Sequence, residues 1–161
     1  MGMKRKMNKK IIVAAFAGLL VVSFANISIV NCDDVSGYFK YKIVCKAPTP
    51  IIFEYDTDHS ATTTITEAKI DPNLTLYHTV VRAELRYNSN GTTKTVVNTS
   101  KHNSLVGTTK DDNSITVKKK INHKNFKNTY HDMTLGGVGK NYSAKYTFTS
   151  PQTIKGTRKI P

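Results

Sequence analysis

The chain has 161 residues and carries 24 Lys and Arg against 11 Asp and Glu, a formal net charge of +13. That length suits one domain with a real core. No phosphate loop, zinc spacing or nucleophile motif stands out, so the function classes that announce themselves by such motifs are set aside.

The chain opens on Lys4, Arg5, Lys6, Lys9 and Lys10, followed by an uncharged run from Ile11 to Val30. Ser23 and Ala25 stand at the −3 and −1 positions of a small-x-small cleavage site. A basic start, an apolar stretch and small residues at the cut make residues 1–25 a secretory signal peptide, with export and a secreted or cell-surface location as the expectation. Two alternatives compete. The apolar run is just long enough to stay as a membrane anchor to about residue 31. Lipoprotein processing at Cys32 needs a small residue before the cysteine, where Asn31 stands.

Cleavage after Ala25 removes five of the 24 basic residues and leaves 19 against 11 acids, a net +8. The charge is lopsided. Residues 26–93 have six basic and eight acidic groups, or −2, and residues 94–161 have 13 and three, or +10. Such a domain has a dipole and a basic side. Cys32 and Cys45 are expected to pair in an oxidising compartment, a bond worth roughly 3 kcal/mol on chain-entropy grounds. Lys outnumbers Arg by 20 to 4 and Asn, Ile and Thr are frequent, a bias that fits an AT-rich, Gram-positive genome.

Along the mature chain the signals are for strands. Residues 38–45 alternate, with Phe39, Tyr41, Ile43 and Cys45 on one side and Lys40 and Lys42 on the other. Prolines at 48 and 50 end that strand, and Ile51–Tyr55 is a short apolar run. Residues 60–67 read as a polar strand. Leu74–Tyr87 is a long one, with Tyr77, Val81, Ala83, Leu85 and Tyr87 on one face; its length predicts a bend near His78–Thr79. Asn90-Gly91 then predicts a two-residue hairpin turn, which sets Leu85 opposite Val96 in the returning strand 94–99. Further strands are expected at 114–121 and 142–149, with turns at Asp111–Asn113 and at Gly136, Gly137 and Gly139. Residues 151–161 have no pattern and read as a loose tail. The expected fold is all-β, a small antiparallel sandwich or barrel in one domain over residues 32–150.

Lys118, Lys119, Lys120, Lys124 and Lys127 are the densest basic stretch, with Arg158 and Lys159 near the end of the chain. They are the candidate contacts for a polyanion. On a strand, Lys118 and Lys120 face solvent and Lys119 falls on the apolar side, where it must snorkel or mark a bulge. The competing reading is an edge strand guarded by lysines. Glu54, Asp56 and Asp58 put three carboxylates on one side of an extended segment, a candidate metal site that lacks the glycine needed to wrap an ion. Asp58-His59-Ser60 cannot be a triad as a unit, because neighbours on an extended chain point to opposite faces. No cofactor is implied.

The expectation is a secreted or envelope-associated, non-enzymatic β-domain that binds an anionic cell-wall polymer or membrane surface through its basic half, with no specific nucleic acid as partner. Alternatives are an antimicrobial or toxin-like protein acting on membranes, a small extracellular hydrolase, and a β-domain whose charge serves solubility alone.

Overall fold

A computed structural model describes residues 37–52, 55–70, 76–105, 112–137 and 140–160. The expected signal peptide and cleavage site, Cys32 and Glu54 lie outside the described residues. Residues 32–161 are a compact unit by themselves. The described strands are β1 (Gly37–Lys46), β2 (Asp56–Ile70), β3 (Leu76–Ser89), β4 (Thr92–Leu105), β5 (Asn113–Asn122), β6 (Phe126–Gly137), β7 (Lys140–Phe148) and β8 (Gln152–Ile160). A single 3-10 turn, His123–Asn125, joins β5 to β6.

The strands form two four-stranded sheets, in the order β5-β2-β1-β8 and β4-β3-β6-β7. Every neighbouring pair is antiparallel. The sheets pack face to face as a sandwich, not a closed barrel. Without β8, the order β1-β2-β5 opposite β4-β3-β6-β7 is that of an immunoglobulin-type Greek key in which the fourth strand has moved across to the second sheet. β8 extends the first sheet beyond β1.

Alternation builds the core. Phe39, Tyr41, Ile43 and Cys45 of β1 point inward and meet Val81 of β3, Met133 and Leu135 of β6 and Phe148 of β7. A second cluster joins Ala61, Ala83, Leu85, Val117 and Ile121. The β3–β4 hairpin turns at Asn90 (φ 50°) and Gly91 (φ 72°), both left-handed, and Leu85 stands opposite Val96 as the sequence predicts.

Three expectations are corrected. Of the bulge or bend expected near His78–Thr79, no bulge is there: Thr79 is buried, and β3 pairs with β4 along its whole length without a register shift. The irregularity lies instead at Arg86/Tyr87, where Lys127 is an extra residue on β6. The tail expected at 151–161 is β8, held to β1 from Gly37↔Ile160 to Cys45↔Gln152. Asn113, expected in a turn, is buried at the start of β5 and its amide donates to the Thr79 carbonyl and hydroxyl, both at 3.1 Å, so it ties the two sheets together. The expected Cys32–Cys45 bond falls outside the described residues, because Cys32 does; Cys45 itself is buried in the core, and burial pushes its thiol pKa up.

β6 was not anticipated at all, because two of its inward positions are polar. His131 is fully buried between Thr63 of β2 and Thr129 of β6. The Thr63 hydroxyl donates to the Arg82 carbonyl at 2.9 Å, so it accepts from Nδ1–H of His131 at 2.9 Å. Nε2 of His131 is then the acceptor, and takes the Thr129 hydroxyl proton at 2.9 Å. Burial, the dominant cause, lowers the imidazole pKa to about 4. The imidazole is therefore neutral, with both nitrogens satisfied.

Candidate anion-binding face

Strand register decides what the outer face of the first sheet presents. From β5 to β8, one cross-strand row reads Ser114, Thr64, Lys42 and Lys155. The next reads Thr116, Thr62, Val44 and Thr153, and the one after it Lys118, Ser60 and Lys46. Lys42, Lys46, Lys118 and Lys155 are all exposed. Their cross-strand neighbours are serine, threonine or another lysine, and Lys42 lies directly opposite Lys155. Between the lysines runs a hydroxyl ladder, Thr62 to Thr116 at 2.9 Å and Thr64 to Ser114 at 2.7 Å. Rows are spaced by about 6.6 Å, two residues of strand.

Acids sit only toward the ends of this face. Glu67 is taken up locally: it pairs with Lys40 at 2.9 Å and accepts from the Tyr38 hydroxyl. These contacts lower the Glu67 pKa, with the Tyr38 bond the largest cause. Asp58 stands opposite Lys120, and Asp56 opposite Asn122. Asp56 and Asp58 thus face β5 across the register. Among the described residues no cluster of three or more ligating groups could hold a metal ion.

The outer face of the second sheet differs. Glu84, though on the outward parity, is buried under two guanidinium groups, Arg82 at 2.5 Å and Arg86 at 2.6 Å, and Arg86 also lies over the Tyr130 ring. Lys145 is 3.9 Å from Asp132. There each of the acids Glu84 and Asp132 has a basic partner; on the first sheet the central lysines have no acid opposite them.

The structure splits the sequence-predicted basic set. Lys118 and Lys120 lie on the outer face of the first sheet. Lys119, on the inward parity, snorkels out and rests over the Tyr87 ring at 6.0 Å. With Lys120 it borders a polar cleft of about 430 Å³ that Asp56, Tyr87, Asn88, Asn122 and Asn125 also line. Lys124 is exposed on the 3-10 turn. Lys127 is the bulge residue of β6 in the second sheet and donates to the Thr93 hydroxyl of β4 at 2.9 Å, away from the others. Lys159 is on the outer face opposite Tyr38, and Arg158 is on the inward parity opposite Phe39. Sequence reasoning missed Lys42, Lys46 and Lys155 as members of one surface. The outward parity of Lys42 was readable; its meeting with Lys155 was not, because β8 was read as tail.

Near Lys124 the 3-10 turn anchors a stack of three rings. His59, fully buried, lies against Phe126 and His123, with ring centroids 5.2 and 5.6 Å away. Its Nδ1–H donates to the Thr57 carbonyl at 2.9 Å, so its Nε2 accepts from Nδ1 of His123 at 3.3 Å. Burial is the main cause that lowers the His59 pKa. Asp58 and Ser60 are on the opposite face from His59, as the parity argument requires.

Compared with known proteins, the chain matches no protein-family model, no curated protein and no solved structure.

Proposed function

We propose that the outer face of the β5-β2-β1-β8 sheet is a flat binding surface for an anionic polymer or membrane, and that the protein is an exported, non-enzymatic binding domain. The observation that carries this is Lys42 directly opposite Lys155, with Lys46 and Lys118 two rows away and no acid among their cross-strand neighbours. Like charges directly opposite on a sheet destabilise it. Edge protection accounts for lysines on β5 and β8, but not for Lys42 and Lys46, which are on β1, a strand paired on both sides. An anionic partner relieves the repulsion, and the hydroxyl ladder adds donors for its oxygens. Lysine suits such a partner as a set of point charges, without the bidentate geometry of arginine.

Reversing three charges, Lys42→Glu, Lys118→Glu and Lys155→Glu, is expected to weaken co-sedimentation of the 32–161 unit with teichoic-acid-bearing cell walls at least about 100-fold, at roughly 1 kcal/mol per charge near an anionic surface. Lys94→Glu with Lys101→Glu, on β4 of the other sheet, should change it little. Binding should fade with salt, since screening acts within about 8 Å at physiological ionic strength. Equal binding by the triple variant, or indifference to salt, defeats the proposal.

A further inference from the structure

We infer that Ile51, Ile52 and Tyr55, described residues between β1 and β2, are a lipid-contacting tip, which makes the anionic partner a phospholipid bilayer; this rests on the basic-face reading above. Among the described residues four large apolar side chains are exposed, and three of them are in this loop: Ile51 at 100%, Ile52 at 55% and Tyr55 at 64%. Water exposure of two isoleucines side by side is unfavourable, and none of the described residues covers them.

The loop is presented on a fixed base. Ala47 is buried. The Pro48 carbonyl accepts from the Thr57 hydroxyl at 3.2 Å, and the Thr49 hydroxyl contacts Nε2 of His123 at 3.5 Å. Prolines at 48 and 50 stiffen the approach. The Thr49 contact sets the loop beside the 3-10 turn that carries Lys124. Lys46 leads directly into the loop, and Lys118 and Lys120 lie across β2 from it. Asp56 and Asp58 are at the same end and Glu54 belongs to the loop by sequence, so the charges here are four lysines against three acids.

A hydrated wall polymer offers isoleucine side chains nothing. An acidic bilayer takes both parts: lysines at its headgroups and aliphatic side chains at the acyl boundary, with tyrosine suited to the interface between. The lysines of the sheet face then steer the domain to the surface and the tip holds it there.

The test uses the 32–161 unit and phosphatidylcholine vesicles with and without phosphatidylglycerol, beside teichoic-acid-bearing cell walls. The unit should pellet with phosphatidylglycerol vesicles. Ile51→Ser with Ile52→Ser should weaken that at least about tenfold and leave wall binding unchanged. The chain has no tryptophan, so Tyr55→Trp supplies a single reporter whose emission should shift to the blue on these vesicles. Vesicle binding unaffected by the serine pair, or wall binding without vesicle binding, overturns the inference and leaves the basic face standing. Binding to neither overturns the basic face itself.

Discussion

Acidification from pH 7 to about 4 is expected to remove up to roughly 3 kcal/mol of folding stability, with His131 as the main contributor. The buried imidazole holds a pKa of about 4 in the fold and returns to about 6.5 when the chain unfolds. Between those values the unfolded state binds more protons. Stability is therefore full above about pH 6.5 and is lost as the pH falls through about 4. Protonation within the fold would put a charged ring in the core and require the Thr129 hydroxyl, a donor to Nε2 of the neutral ring, to turn and accept from it. His59, lowered by burial, pulls in the same direction. Urea midpoints measured across this range should fall steeply for the native sequence and much less for His131→Leu. In that variant Thr63 keeps its bond to Arg82. The same slope in both proteins would show that His131 is not the titrating group.

Deleting residues 151–161 is expected to destabilise the domain by about 4 kcal/mol or more. Ile160 is buried in the core with Phe39, and Ile154 packs against the same cluster; two such side chains are worth roughly 1.5–3 kcal/mol each when covered. Tyr41 adds to this. Its ring lies over Gly156 so closely that a Cβ there would meet the hydroxyl oxygen at 2.4 Å, and that hydroxyl bonds to Tyr146 of β7. Burial raises the Tyr41 pKa, which keeps the phenol protonated for this bond. Without β8, β1 becomes an edge and Tyr41 loses its floor. A thermal melt of the shortened chain that matches the full one would refute the role of β8.

The parts of the fold that were legible are those where the binary pattern is clean. β7 alternates without exception and β1 does so apart from the outward Val44, and the Asn90-Gly91 turn fixes the β3–β4 register by itself. β6 was hidden because Thr129 and His131 occupy inward positions, where the pattern asks for apolar residues; their polarity is satisfied by each other and by Thr63, which no one-dimensional pattern records. β8 was hidden for a related reason, since Gly156 and Arg158 interrupt the inward series of Ile154 and Ile160. The candidate site followed the same rule. The run 118–120 stands out in one dimension and proved to be scattered, with Lys119 turned over Tyr87. The pairing that matters most, Lys42 with Lys155, joins the first and last strands and exists only once both are placed in the sheet.

The sheet also records where the chain can change length. β2 carries one residue more than β1 needs: Lys40 meets Glu67, Tyr41 meets Ile65, and Thr66 has no opposite number. That surplus residue flips the alternation, so the inward series runs through Thr63 and Ile65 and resumes at Ala68. Loss of Thr66 alone would leave every other pairing on its present face. Loss of any residue between Asp56 and Ile65 would turn part of the hydroxyl ladder into the core and part of the core out to water. For insertions and deletions, β2 has one tolerant position along its length, and it is the one that bends the strand.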